Sequence, residues 1–121
     1  MNILMNNSFM TQQLNPKQLW IGAVEVRPLQ QNSDVLGDTK GAFVNIVTWA
    51  CDAEEYEQNA ELVFGKLGLF VSEVVNPEPV ENRRKREGRF TEEMEDIISR
   101  AQGNPNAIIY GTFHTFEKDN A

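Results

Sequence analysis

"AFVNIVTWACDAEEYEQNAELVFGKLGLFVSEVV", residues 42–75, decides the fold class. In its first nine residues Ala42, Val44, Ile46, Thr48 and Ala50 point one way, and Phe43, Asn45, Val47 and Trp49 point the other. Period-two alternation with apolar groups on both sides describes a strand covered on both faces, or a central strand with a subunit against its second face. Asp52 then reads as an N-cap, with Glu55 at the third helical position to close a capping box. The helix it starts spans 53–67. Tyr56, Ala60, Val63 and Leu67 share one face, and Glu54, Glu55 and Glu57 sit where the helix dipole favours negative charge. Gly68 ends it in a left-handed conformation, and "LFVSEVV", 69–75, is a further strand. Strand, helix and strand joined by such short turns predict a right-handed crossover with the two strands parallel.

Upstream, "LWIGAVEVR", 19–27, reads as a strand with Trp20, Val24 and Val26 on one face, closed by Pro28. The polar connection 28–41 is too long for a tight hairpin and reads as a mobile flap. Downstream, Pro77 and Pro79 break regular structure. Thr91 caps a helix over 92–102 whose inner face is Met94, Ile97, Ile98 and Ala101, and "AIIYGTFHTF", 107–116, is the last strand. The expected fold is α/β, of the α+β kind: a two-layer sandwich with a mixed four-stranded sheet in β-β-α-β-α-β order and two helices on one face. A ferredoxin-like variant with an extra helix hidden in 9–18 is the runner-up. The chain reads as a single domain over 1–121, with 1–16 a loose arm and 117–121 a polar tail.

Composition agrees with this class. At 121 residues, with 40% hydrophobic and 24% charged side chains, the chain is one ordinary domain able to bury about two-thirds of its unfolded surface. Cys51 is the only cysteine, so no internal disulfide staples the fold and a reducing compartment fits. The N-terminus has no positive charge before Lys17, and no window approaches the ~20 apolar residues of a membrane helix. The expectation is a cytoplasmic protein without a membrane partner.

The charge is uneven. Net charge is −7, yet Arg83, Arg84, Lys85, Arg86 and Arg89 crowd into seven positions beside one acid, Glu87. An acidic body repels nucleic acid and steers toward basic proteins. The basic run is narrower than a nucleic-acid footprint. It is expected to pair with acids of the same chain, Glu78, Glu81, Glu92 or Glu93, or with a second copy. Its alternative use is a grip on phosphates or acidic side chains.

Catalytic chemistry has little to stand on. Cys51 at a helix start, where the dipole lowers a thiol pKa, and the single His114 form a nucleophile–base pair only if folding joins them. There is no nucleophile elbow, CxxC, HExxH, calcium loop or phosphate-cradling glycine run. No metal or cofactor is expected, and no enzyme. His114 on the last strand shares a face by strict alternation with Ile108, Tyr110, Thr112 and Phe116. Trp20, Phe43, Trp49, Tyr110, Phe113 and Phe116 all lie on strands, so helices on one face leave an aromatic surface on the other. The candidate binding residues are therefore Arg83, Arg84, Lys85, Arg86, Arg89, Trp49, Tyr110 and His114. The function expected is a small acidic, non-enzymatic protein-binding module, an inhibitor or immunity-type partner of a basic protein. The alternative is a small-molecule-binding or regulatory homodimer that uses the aromatic sheet face.

Overall fold

A computed structural model describes residues 16–30 and 33–117. The arm expected over 1–16 and the tail over 117–121 fall almost wholly outside the described residues, as does most of the helix of the runner-up fold. Four strands form one sheet in the order β3-β1-β2-β4: β1 (Gln18–Pro28), β2 (Gly41–Ala50), β3 (Leu69–Pro79) and β4 (Ile108–Phe116). Three helices accompany them: α1 (Ala53–Gly65), α2 (Val80–Glu87) and α3 (Glu92–Gln102). This is the α+β sandwich the sequence predicts.

Two details differ. The sheet is antiparallel throughout rather than mixed. β2 and β3 do run the same way, as the crossover requires, but β1 is inserted between them and pairs antiparallel with both. The helices also lie on both faces rather than on one. Val24, Val26, Ala42, Val44, Ile46 and Ala50 pack with Tyr56, Ala60 and Phe64 of α1. Leu19, Ile21 and Val47, which alternate with them, pack with Val80 of α2 and with Met94, Ile97, Ile98 and Ala101 of α3. Two apolar faces on the central strands demand cover from both sides. α1 covers one face and α2 with α3 the other, so there are three layers and three helices where two of each are expected.

Both expected N-caps form at the helix starts. Asp52 accepts the Glu55 N–H at 2.8 Å as expected, but the Glu55 carboxylate accepts the Cys51 N–H at 2.7 Å, one residue before the N-cap N–H that a capping box uses. Thr91 Oγ1 accepts the Met94 N–H at 3.2 Å, and Gly68 adopts φ 76° beyond α1. Gly22 has a packing reason. A Cβ there would lie 2.8 Å from the Tyr56 hydroxyl and 3.2 Å from the Pro77 Cα. The missing side chain lets Tyr56 lie across β1 and donate to the Ile46 carbonyl at 3.0 Å.

Pro77 and Pro79 do not end β3, which continues to Pro79. β3 is an edge strand, where a proline costs no ladder bond on its open side. Asn76 takes φ 50°, and the pairing with β1 shifts register nearby, between Ile21 and Ala23. On the other edge, Val44 pairs with Phe113 and Ile46 with Tyr110, so two residues of β4, Gly111 and Thr112, oppose the single Asn45. This bulge breaks the strict alternation expected along β4. Ile108, Tyr110 and Phe113 all turn toward the α1 side, whereas Phe116 meets Phe43 on the opposite face. The 28–41 connection is tied down where it is described. Leu36 is buried in the α1-side core, the Leu29 N–H reaches Gly68 O at 2.9 Å and the Lys40 N–H reaches Phe116 O at 3.0 Å.

Candidate functional site

Most of the basic run, 83–87, lies in the helix α2. Arginine, lysine and glutamate are good helix formers, and Val80 supplies a buried anchor at the start of α2. Arg83 and Arg86, three residues apart, share one flank of the helix. That flank faces Glu78 at the end of β3. Arg83 Nε donates to Glu78 Oε2 at 2.7 Å, and Arg86 donates to both carboxylate oxygens at 2.8 and 2.7 Å. Arg83 also donates to the Asn76 carbonyl at 2.6 Å. Arg84 points the other way and forks onto Glu95 of α3 at 2.9 and 3.2 Å, with its guanidinium 4.8 Å from the Phe90 ring centre.

These contacts set the charge states. Arg86 first, then Arg83, hold the Glu78 carboxyl down at about 2 against its partial desolvation. Arg84 likewise holds Glu95 below the usual carboxylate range. Three of the five basic side chains are thus neutralised by acids of the same chain. Glu78 was among the acids expected; Glu95 was not. Lys85 and Arg89 stand exposed, without a hydrogen bond or ion pair among the described residues.

The other candidates do not gather around this helix. Trp49 lies on the α3 side and donates its indole N–H at 2.9 Å to Ala101 O, a carbonyl of the last turn of α3 that also accepts the Asn104 N–H. Tyr110 lies on the α1 side, its ring 5.3 Å from that of Phe64 and 5.5 Å from that of Phe113. His114 is exposed on the edge strand β4, opposite Phe43. The uncovered aromatic face therefore does not exist as expected. Trp20, Tyr110 and Phe113 pack on the α1 side and Trp49 on the α3 side. Phe43 and Phe116 remain half-buried, with the Arg27 guanidinium 5.3 Å from the Phe116 ring centre.

Cys51 and His114 do not meet. His114 pairs with Phe43 near the start of β2, and Cys51 follows its last residue. Eight residues at about 3.3 Å each separate the two by about 26 Å. Nor is the Cys51 thiol activated. The adjacent Glu55 carboxylate, then burial, push its pKa up, outweighing a backbone hydrogen bond that lowers it. Among the described residues no group of three or more His, Cys, Asp or Glu side chains is placed to hold a metal ion. No helix among them is long and apolar enough to cross a membrane.

Two surface features escaped the sequence reading. The solvent side of α1 carries Glu54, Glu57 and Glu61, all exposed, and also Leu62, 56% exposed, whose neighbours one turn away are Gln58 and Lys66. The signal was present as the complement of the Tyr56–Ala60 stripe. A groove of about 510 Å³ lies where β1 ends and β3 begins. Arg27, Leu29, Asp38, Lys40 and Phe70 are among the residues that line it. Its members are far apart in sequence, so no local pattern reveals it. Compared with known proteins, the chain matches no family model, no curated protein and no solved structure.

Proposed function

We propose that this protein is a non-enzymatic binding module that engages a basic protein through the outer flank of α1. The observation that carries the reading is the solvent side of α1, where Glu54, Glu57 and Glu61 are exposed together with the aliphatic Leu62. An apolar anchor with a charged rim is how protein interfaces combine affinity with steering. The internal pairing of Arg83, Arg84 and Arg86 supports the same reading, because it removes most of the positive patch that would attract nucleic acid. Separation of Cys51 from His114 leaves the catalytic alternative without its only nucleophile–base pair.

The test is co-isolation from native lysate at low salt, with the wild-type chain compared with Leu62→Asp and with the triple variant Glu54→Lys, Glu57→Lys, Glu61→Lys. A basic protein retained by the wild type and lost by both variants is the expected result. A partner retained equally by all three would overturn the assignment of this flank. The alternative, a small-molecule-binding homodimer, draws support from the groove beside Arg27 and Lys40 rather than from an aromatic face. Light scattering on the purified chain separates the two, because that alternative requires a dimer.

A further inference from the structure

α2 differs from its neighbours in what holds it. α1 buries Tyr56, Ala60 and Phe64, and α3 buries Met94, Ile97, Ile98 and Ala101. α2 buries Val80 alone. Its first turn follows Pro79, which gives no side-chain cap, and its last N–H bond runs from Gly88, at φ 80°, to Arg84 O at 2.7 Å. A helix of eight residues has far too few turns to persist by itself in water. It stays helical only while docked.

The docking is mostly ionic. Glu78 of β3 takes Arg83 and Arg86, and Glu95 of α3 takes Arg84. The Arg83 and Glu78 side chains are only 15% and 18% exposed, so this pair is poorly screened and has defined geometry. We propose that α2 is an electrostatic latch. Residues 80–87 open as a unit, with β1–β4, α1 and α3 intact, and the closed state keeps Arg83, Arg84 and Arg86 from any other anion. An element with little apolar hold opens at lower free energy than the packed core, and its opening exposes little surface. The inference does not depend on the partner-binding reading of α1.

The test is native-state hydrogen exchange on the full chain across low, non-denaturing urea concentrations. Wild-type amides from Arg84 to Gly88 are expected to exchange roughly tenfold or more faster than the buried amides of α3, at rates that do not respond to urea. Those of α1 and α3 accelerate as urea rises. Glu78→Gln should speed the α2 amides by roughly another tenfold, the loss expected when charge-assisted hydrogen bonds weaken. If Glu78→Gln fails to fold, Arg86→Gln removes one arm at a side chain that is 57% exposed and should shift the α2 rates in the same direction. Two results would overturn the proposal: α2 amides whose rates climb with urea in parallel with those of α3, or α2 rates unchanged in the variants.

Discussion

Replacing Gly22 by alanine is the sharpest test of the packing. In a strand with free space, Gly→Ala is stabilising by about 0.5–1 kcal/mol, because it lowers the entropy of the unfolded chain. Here the new methyl group would stand 2.8 Å from the Tyr56 hydroxyl oxygen and 3.2 Å from its Cζ, with the Pro77 backbone 3.2 Å away on the other side. Tyr56 is fully buried and its hydroxyl is bonded to Ile46 O at 3.0 Å, so the ring has nowhere to retreat without losing that bond. Overpacking of this kind costs about 1–3 kcal/mol, which exceeds the entropic gain, so Gly22→Ala is expected to destabilise. Tyr56→Phe alone leaves the Ile46 carbonyl short of a donor and costs about 1–3 kcal/mol. In the double variant the closest oxygen is gone and the nearest contacts relax to 3.2 Å. The two changes should therefore be sub-additive by about 1 kcal/mol, within the range of coupling between residues in contact. Urea unfolding of the four proteins, followed by far-UV circular dichroism, gives the cycle. A stabilising Gly22→Ala, or strictly additive costs, would refute the argument.

Three further outcomes follow from particular contacts. The Trp49 indole N–H donates to the Ala101 carbonyl, which also accepts the Asn104 N–H at 3.1 Å, whereas the buried Trp20 Nε1 has no partner among the described residues. Trp49→Phe should therefore lower the urea midpoint more than Trp20→Phe, and the reverse order would contradict the assignment. The carboxyl of Glu78 is held at about 2, below its ordinary 4.5, and those of Glu95 and Glu55 are also lowered. Their contribution is present above about pH 4.5 and is lost as pH falls toward 2, because acid protonates the unfolded chain first. The urea midpoint should fall over that window, less steeply in Glu78→Gln; a flat profile would refute it. The Cys51 thiol, raised by Glu55 and by burial, should alkylate more slowly at pH 7 than free cysteine. Glu55→Gln, which keeps a capping side chain, should speed it. A wild-type rate equal to that of free cysteine would contradict this.

What the sequence made legible was local. The Asp52 cap, the Thr91 cap and the Met94, Ile97, Ile98, Ala101 stripe each follow from a pattern within a few residues, and each is found in place. The insertion of β1 between β2 and β3 is a tertiary choice, and no periodicity in 42–75 reports it. Helices on both faces were foreshadowed by Leu19 and Ile21, which alternate with Trp20, Val24 and Val26, but the reading gave both helices to one side. The bulge at Gly111 and Thr112 moved Phe113 to the side of Tyr110 and took His114 out of the expected row. Glu93 of α3 accepts both the N–H and the hydroxyl of Thr112 there, an interaction between residues from separate elements. Pro77 and Pro79 were read as strand breakers because an edge position is invisible before the sheet is assembled. For the candidate site, pairing of the basic run with nearby acid was legible as charge, but the choice of Glu78 and Glu95 depends on where β3 and α3 lie.

The proposed function rests on the carboxylates of α1 steering the chain onto a basic partner. The most direct measurement is the association rate with the co-isolated partner as a function of ionic strength, for the wild type and for the Glu54→Lys, Glu57→Lys, Glu61→Lys variant. The wild-type rate is expected to fall steeply as salt rises, and the variant rate to start lower and lose that slope. A salt-independent wild-type rate, or the same slope in both proteins, would contradict it.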